Sequence, residues 1–413
     1  MIVKDLEINN YKGISNLRFN PTKINIIVGK NNTCKTSILT AIDLLFNNER
    51  IKRKNIQSFF NIYSNKKLIK ISANVDNIEE DIEVREAEEV EAVTSFSKEL
   101  VKILLYNLVK QSDKLEFKDV AVKEIEKIVE KNIDEELRSL ILKNSVVLTN
   151  KKDGAKVYSW LKGYTSFEKI EKLLDNVSTY IEKLSPENQK DEYKTFLRNA
   201  YRYTLFSITR GMLDMSVVNN EKKKNTIYIE SPMSSEIDFS ERLPEDTERI
   251  HEIEKLVKEN KLIHNLVRLN LDNVLFSTEN GEKAHPFELL GQGFQSIIGF
   301  LWQLSSNKIK NKIILIDEPE THLHRGYIKE LIKFLVEFSK KLDIQFFITT
   351  HSSDVLDIFL SDELEKGEQD YLNRELSVLR IDKIKDSITL AENLDYKSAK
   401  EAIENLLLDL RGV

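Results

Sequence analysis

The chain has 413 residues, of which 41% are hydrophobic and 31% charged, and its formal net charge at pH 7 is −6. This length and composition predict a globular protein with more than one hydrophobic core. The acidic balance excludes a globally basic nucleic-acid binder and leaves only a local basic face as a DNA-binding surface.

The first 80 residues predict short strands around an apolar run that stops at a glycine. A segment with apolar residues at helical spacing follows the glycine, from Ile38 to Phe46. We expect residues 1–80 to form the N-terminal part of an α/β head. The strand candidates are residues 2–8, 17–19, 24–28 and 68–75.

The loop that follows the third strand predicts a phosphate-binding P-loop. The pattern G-x-x-x-x-G-K-[ST] directs successive backbone N–H groups at one anion, at the N-terminus of a helix. Gly29 would supply the turn, Lys35 a positive charge for the β- and γ-phosphates, and Thr36 a hydroxyl ligand for Mg²⁺. The candidate nucleotide-binding residues are Gly29, Lys30, Asn31, Asn32, Thr33, Cys34, Lys35, Thr36 and Ser37.

Cys34 stands where this pattern has its second glycine. Its Cβ and thiol are expected to occupy space that the backbone normally leaves free for the phosphates. One interpretation is a redox switch, because a thiol at a helix N-terminus beside Lys35 is reactive. The alternative, which we favour, is that a small side chain is tolerated here with weaker nucleotide affinity.

After residue 80 the composition changes to an acidic run and then to helical periodicity. The segment 145–158 predicts a hairpin with Asp153 and Gly154 in its turn. We expect residues 81–225 to be a helical insertion module with this small hairpin. The basic cluster at 222–224, which ends the module, predicts a solvated loop.

From residue 226 to 413 strands and helices alternate, which predicts a mostly parallel sheet and the C-terminal part of the same head. The strand candidates are 226–229, 274–276, 313–316, 345–348 and 376–381. The helix candidates are at about 292–305, 325–341, 352–361 and 395–409.

Two adjacent carboxylates follow the apolar strand 313–316. In P-loop folds the nucleotide and metal lie beyond the carboxyl ends of the strands, where these side chains would be delivered. Asp317 would hold Mg²⁺, and Glu318 would orient and deprotonate the attacking water. The alternative is a solvated turn, and the P-loop upstream argues against it.

Two further signals complete the pattern. His351 follows another buried strand and would hydrogen-bond the γ-phosphate, whereas the alternative for a lone histidine is capping or packing. Gly291 and Gly293 precede a helix whose start would bind the nucleotide of a second copy of the chain. A Gly-x-Gly before a helix is common, so this signal depends on the other three.

The sequence also limits the cellular setting. A single cysteine excludes an internal disulfide bond. The residues from Met1 to Asp5 begin a strand pattern rather than a signal peptide, and no apolar run reaches the roughly 18 residues that span a membrane. We therefore expect a cytoplasmic protein without a membrane partner.

With four motifs in this order, the chain resembles ABC-type ATPases of the SMC, RecF and OLD group, and most of all the stand-alone OLD-like heads without a Toprim domain. The resemblance covers residues 1–80 and 226–413. The matching segments are Asn10 to Ile14 and Ile27 to Asn32 at the start of the head, Gly291 to Gln295 at the signature, Asp317 to His324 at the Walker B motif and D-loop, and Thr350 to Ser352 at the switch histidine.

The resemblance implies a P-loop NTPase fold of the ABC type that hydrolyses ATP with Mg²⁺. Glu318, His351 and Lys35 are then the catalytic residues, and Thr36 and Asp317 are the metal ligands. It also implies a homodimer or higher homo-oligomer, in which a pair of heads sandwiches two ATP molecules. Two positions depart from the family pattern: Cys34 replaces a glycine, and Gly291-Gln292 stands where a serine is usual.

The family setting implies a molecular switch coupled to DNA or to a separate effector such as a nuclease, in antiphage defence or DNA repair. Nuclease activity in this chain is not expected, because only about 60 residues follow His351 and they carry no acidic nuclease constellation. The alternative function is a non-hydrolysing, nucleotide-sensing scaffold that binds a partner protein through its helical module.

Overall fold

The structure is a computed structural model, and it describes most of the chain. The described residues are 1–47, 56–61, 63–109, 119–151, 154–159, 164–184, 198–205, 226–230, 244–259, 263, 265–270, 272–304, 310–321, 323–384 and 387–404. The predicted turn residue Asp153, the basic cluster 222–224 and the predicted helical residues after 404 lie outside this set.

Strands and helices alternate along most of the chain. The strands are β1 (Val3–Tyr11), β2 (Ile14–Phe19), β3 (Ile24–Gly29), β4 (Leu68–Val75), β5 (Ile78–Glu86), β6 (Ser145–Asn150), β7 (Gly154–Ser159), β8 (Thr226–Glu230), β9 (Leu266–Arg268), β10 (Asn273–Thr278), β11 (Gly281–Pro286), β12 (Ile313–Asp317), β13 (Gln345–Thr349), β14 (Leu376–Ile384) and β15 (Ser387–Asp395).

Most of the described helices follow the predicted apolar spacing, but Pro244–Glu259 and Lys366–Glu375 were not predicted from the sequence. The helices are α1 (Lys35–Phe46), α2 (Glu89–Val109), α3 (Asp119–Asn132), α4 (Glu135–Lys143), α5 (Tyr164–Leu184), α6 (Pro244–Glu259), α7 (Gln292–Leu304), α8 (Arg325–Leu342), α9 (Ser353–Leu360), α10 (Lys366–Glu375) and α11 (Tyr396–Glu404). Within the described part of the chain, no helix is both long and apolar enough to cross a membrane.

One sheet of twelve strands organises the fold, in the order β7-β6-β5-β4-β1-β2-β15-β14-β3-β13-β12-β8. The five strands from β14 to β8 in this order run parallel to one another, as predicted for the head. The strands from β7 to β2 pair antiparallel, so the prediction of a mostly parallel sheet holds only for the half that carries the P-loop.

The middle segment is tied into this sheet. The hairpin β6–β7 forms where it was predicted, and β6 pairs with β5, so the hairpin extends the main sheet instead of standing apart with the helices. The predicted boundary at residue 80 falls inside β5. Helices α2 to α5 build a core of their own, to which Val147 of β6 contributes. The helices α2 to α5 therefore pack against one end of the main sheet.

Two cores lie on opposite faces of the parallel strands. Ile26 and Val28 of β3 belong to the core beneath α7, α8 and α9, whereas Ile27 belongs to the core beneath α1. A strand that is buried on both faces is apolar at nearly every position, which is why β3, β12 and β13 appear in the sequence as mostly apolar runs. Two buried polar residues in these strands, Asn25 and Gln345, donate hydrogen bonds from their side-chain amides to backbone carbonyl oxygens. The carboxyl ends of the three strands open at one edge of the sheet.

Candidate active site

Strand β3 ends in a glycine that no other residue can replace without a shift of the backbone. Gly29 has a φ of 154°. A Cβ at this position would overlap the carbonyl oxygen of Ile381 and lie 2.8 Å from the hydroxyl of Thr33. The close approach of β14 and the loop thus requires the glycine, and the chain can turn tightly out of the sheet.

The loop after Gly29 is held by its own hydrogen bonds. Thr33 is buried, and its hydroxyl donates to the carbonyl oxygen of Lys30 at 2.7 Å. Lys30, Asn31 and Asn32 are exposed around this turn. Helix α1 begins directly after the loop, so the unpaired N–H groups of its first turn, which includes Thr36 and Ser37, face the space beyond β3.

Lys35 is buried at the centre of the loop, with 4% of its surface exposed. Its Nζ donates to the carbonyl oxygens of Gly29 at 2.8 Å and of Lys30 at 2.9 Å. Burial lowers the pKa of Lys35, and the negative charges of Glu318, Asp317 and Glu320 act against that shift. The P-loop cation therefore lies within electrostatic reach of the acids that follow β12.

The structure corrects the expectation for Cys34. Its backbone has φ 66° and ψ 24°, the left-handed conformation that glycine adopts most easily. The thiol was expected to occupy phosphate space, but Sγ lies against Gly13 in the turn between β1 and β2, where a Cβ on that glycine would overlap it. Cys34 is half-buried and packs against the α1 core. The side chain is accommodated by a glycine elsewhere in the chain.

Asp317 joins the end of β12 to both neighbouring segments. Its Oδ1 accepts hydrogen bonds from the hydroxyl of Thr36 at 3.1 Å and from the hydroxyl of Thr349 at 2.5 Å. Asp317 and Thr349 are also register partners in the β12–β13 pair. The first turn of α1 and the ends of two parallel strands thus meet at one carboxylate.

Glu318 and His351 face each other beside this carboxylate. His351 Nε2 lies 3.1 Å from Glu318 Oε1, and both side chains are about one-third to one-half exposed. The backbone of Glu318 has a φ of 49°, an uncommon conformation for a residue with a Cβ. Its N–H donates to the carbonyl oxygen of Thr349 at 3.2 Å, which fixes the turn after β12.

The Thr36 and Asp317 pair suits a Mg²⁺ ion. Mg²⁺ prefers hard oxygen ligands, and proteins hold it with one or two carboxylates while substrate phosphates and waters complete the shell. The hydroxyl oxygen of Thr36 and a carboxylate oxygen of Asp317 already lie 3.1 Å apart here. The residues present therefore fit the ion that the P-loop pattern implies.

Among the described residues, no hydrogen bond joins Gly291 or Gly293 to this cluster. They lie at the start of α7, where Gly291 and Gln292 are exposed and a Cβ on Gly291 would meet no atom of the described residues within 4 Å. The side-chain amide of Gln295 donates to the carbonyl oxygens of Glu288 at 3.0 Å and Leu290 at 2.8 Å, which anchors the preceding loop to the helix. The start of α7 is thus an ordered, outward-facing surface.

Sequence reasoning missed two residues of the site. Thr349 bridges Asp317 and the backbone of Glu318, and its position directly after an apolar run was the signal that could have identified it. Glu320 accepts hydrogen bonds from the loop that contains His351. No local pattern in the sequence indicates that contact, because it joins segments about 30 residues apart.

Comparison with known proteins identifies the class of domain through a family model. A family model described as "AAA ATPase domain" matches residues 1–356. Endonuclease GajA of Bacillus cereus (strain HuB5-5) is 26% identical over 380 residues, which cover 80% of this chain and 52% of that protein. The chain therefore spans about half the length of that curated relative.

Two further similarities cover nearly the whole chain. A protein of Helicobacter pylori (strain ATCC 700392 / 26695) named ATP/GTP phosphatase is 22% identical over 364 residues, which cover 86% of this chain and 87% of that protein. Among solved structures, the SMC head domain from Thermotoga maritima matches with 13% identity and a TM-score of 0.41, covering 96% of this chain and 99% of that one.

Proposed function

This chain belongs to the AAA ATPase domain family, and we propose that it hydrolyses ATP with Mg²⁺ at the site where the P-loop meets the ends of β12 and β13. The observation that carries the proposal is the hydrogen bond between Thr36 and Asp317, at 3.1 Å between residues 281 positions apart. It joins a phosphate-binding loop to a carboxylate that would hold a metal ion. In phosphoryl transfer such a pair places Mg²⁺ beside the bound phosphates.

The P-loop provides the triphosphate site in this proposal. The backbone from Gly29 to Ser37 surrounds the start of α1, where N–H groups and the helix dipole favour an anion. Lys35 adds a positive charge that two loop carbonyls hold at the centre of the loop. Thr33 and Gly29 keep the loop tight, because their contacts leave no space for a larger residue at position 29.

Glu318 and His351 would act on the γ-phosphate and the attacking water. Glu318 would accept a proton from the water, and His351 would hydrogen-bond a phosphate oxygen. Their contact at 3.1 Å keeps the base and the phosphate sensor together. Thr36 and Asp317 would hold Mg²⁺, which when bound neutralises charge on the β- and γ-phosphate oxygens. Thr349 orients Asp317 for this role.

A dimer with ATP at its interface would complete the proposed site. Gly291 and Gln292 lie on an exposed helix start, where a second copy of the chain could reach them. A second copy that presents this helix start to the phosphates would supply further N–H donors. Binding of ATP would then close the pair of heads, and hydrolysis would open it.

The partners in this proposal are DNA or a separate effector, in antiphage defence or DNA repair. The name of the GajA relative, an endonuclease, supports a link to nucleic acid, although this chain spans about half of that protein. The helical module that grows out of the sheet edge is the surface we assign to a partner.

Phosphate release by the Glu318→Gln variant tests hydrolysis. The amide keeps the shape of the side chain but cannot accept the proton, so we expect the rate to fall by about 100-fold or more. The control is Glu282→Gln on the exposed strand β11, which should keep the wild-type rate. Equal rates for Glu318→Gln and the wild-type protein would overturn the proposal and favour the non-hydrolysing scaffold.

The same variant tests the dimer, because it should bind ATP without consuming it. Its mass, measured by light scattering, should double with ATP and Mg²⁺ and should not change with ADP. A mass that stays at one chain in every nucleotide state would contradict the sandwich and leave a monomeric ATPase.

A further inference from the structure

The side chain of Glu320 lies beneath the loop that joins β13 to α9. Its Oε1 accepts three hydrogen bonds from this loop: from the Thr350 hydroxyl at 2.7 Å, from the His351 N–H at 2.9 Å and from the Ser352 N–H at 3.2 Å. Thr350 is completely buried. One carboxylate oxygen therefore accepts a hydrogen bond from each of three consecutive residues, and the Ser352 N–H is shared with the Thr350 hydroxyl at 3.0 Å.

A tight turn after β12 brings Glu320 to this loop. Glu318 takes the left-handed conformation, and the Thr321 N–H donates back to the carbonyl oxygen of Glu318 at 3.1 Å. The turn points the carboxylates of Glu318 and Glu320 at the same neighbouring segment. Glu318 contacts the ring of His351, and Glu320 contacts its backbone. The two acids thus contact the same histidine, one at its ring and the other at its backbone N–H.

We propose that Glu320 is a positioning residue for ATP hydrolysis, which fixes the backbone of the 350–352 loop and thereby places His351 Nε2 beside Glu318. It acts through His351 and makes no contact with the nucleotide. The inference rests on the proposed function for its effect on the rate, but the contact itself does not. A side chain aligned by backbone hydrogen bonds keeps reacting groups in the geometry that catalysis needs.

Three substitutions of Glu320 separate the effect of side-chain length from the effect of charge. Glu320→Gln keeps an acceptor oxygen at the same reach without the charge, Glu320→Asp keeps the charge on a side chain one methylene shorter, and Glu320→Ala removes both. Glu320 Oε2 is buried and has no hydrogen-bond partner among the described residues, so Oε1 alone carries the contact with the loop. The charge of Glu320 also acts through space on Lys35, and the Gln variant removes that effect while it keeps the acceptor. If position is what matters, Gln will replace Glu better than Asp does.

Steady-state phosphate release gives the first measurement. We expect kcat to fall by about 10-fold or more in Glu320→Ala and Glu320→Asp and to stay within about threefold in Glu320→Gln, because a displacement of about 1 Å is enough for such losses. The dissociation constant for ATP should change by less than about threefold in all three variants. Full activity in the Asp variant with loss in the Gln variant would overturn the inference in favour of a charge effect, and so would unchanged kcat in all three.

Amide hydrogen exchange gives a measurement that does not depend on hydrolysis. In the protein without nucleotide, the His351 amide should exchange faster in Glu320→Ala and Glu320→Asp and keep wild-type protection in Glu320→Gln, because its N–H donates to Glu320 Oε1. If Glu320→Ala does not fold, the Asp and Gln pair decides. Unchanged exchange in the Asp variant overturns the inference. If the variants show the expected exchange pattern but the wild-type protein releases no phosphate from ATP, only the proposed function is overturned.

Discussion

Cys34 and Gly13 form a complementary pair. Cys34 has the left-handed backbone that the P-loop pattern gives to glycine, and its thiol lies in the space that the missing side chain of Gly13 leaves free. The sequence predicted the departure at position 34 but placed the thiol among the phosphates. The outcome depended on the turn between β1 and β2, 21 residues upstream, and no local pattern links the two positions.

This pairing predicts a non-additive effect on stability. Gly13 does not itself have a positive φ, so its alanine variant is limited by the contact with Cys34 and not by its backbone. We expect Gly13→Ala to lower the free energy of unfolding by about 1–3 kcal/mol in the wild-type protein, because an added Cβ overpacks against Sγ. In the Cys34→Gly background the same change should cost less than about 0.5 kcal/mol. Urea unfolding of the four proteins measures both values.

Equal costs of Gly13→Ala in the two backgrounds would contradict the contact. The single variant Cys34→Gly adds a functional check. Since the thiol faces Gly13, its removal should change ATP affinity by less than about threefold, which corresponds to under 1 kcal/mol. A large gain in affinity would instead restore the interpretation in which the thiol obstructs the phosphates.

At the scale of elements, the apolar runs were enough to predict the strands that carry the site. Strands β3, β12 and β13 are buried on both faces, so burial left a continuous signal in the sequence. Strand β5 left a weaker one. Its Ile82 and Val84 are buried while acidic residues occupy the other face, and the segment appeared in the sequence as an acidic run. Packing against β4 and β6 outweighs the composition there.

An ion pair joins this strand to the helical module. Arg85 of β5 contacts both carboxylate oxygens of Glu91 in α2, at 2.6 and 2.9 Å, and the Glu88 N–H donates to the same carboxylate at 2.9 Å. The hydrogen bond from Arg85 is the main reason why the pKa of Glu91 falls to about 2. A carboxylate whose pKa is lowered on folding stabilises the protein above its ordinary pKa of 4.5, and this contribution disappears as the pH falls towards 2.

The ion pair predicts a pH-dependent difference in melting temperature. Glu91→Gln should melt below the wild-type protein at pH 7, and the difference should shrink between pH 4.5 and the acid limit of folding. The control is Glu83→Gln, also on β5, which removes the ion pair between Glu83 and Lys70 of β4. This pair is more exposed than the Arg85–Glu91 pair, so its loss should have little effect on the melting temperature at either pH. A Glu91→Gln difference that is the same at pH 7 and pH 3.5 would show that the charge is not involved.

At the scale of the whole molecule, the site is assembled from segments at both ends of the chain. The sequence predicted which segments meet, because parallel strands present their carboxyl ends at one edge of the sheet. It did not predict the contacts that lock them together. Ile381 of β14 closes on Gly29, Thr349 bridges two acids, and Glu320 holds the loop of His351. These contacts depend on backbone turns and on packing between distant segments, which leave no periodic signal.

The most direct test of this assembly is a double-mutant cycle on MgATP affinity. Thr36→Val removes one proposed ligand without changing the shape of the side chain, and Asp317→Ala removes the other. The Glu318→Gln background prevents hydrolysis, and isothermal titration calorimetry measures the dissociation constants. We expect each single variant to bind MgATP about 10-fold more weakly or worse, which is about 1.4 kcal/mol.

If the two side chains serve one metal ion and one triphosphate, the double variant should bind no more than about threefold more weakly than the weaker single variant, a coupling of at least about 0.7 kcal/mol. When EDTA removes the metal, all four proteins should bind ATP within about threefold of one another. A double variant whose loss is the product of the two single losses would mean that Thr36 and Asp317 act independently, and it would contradict a shared site.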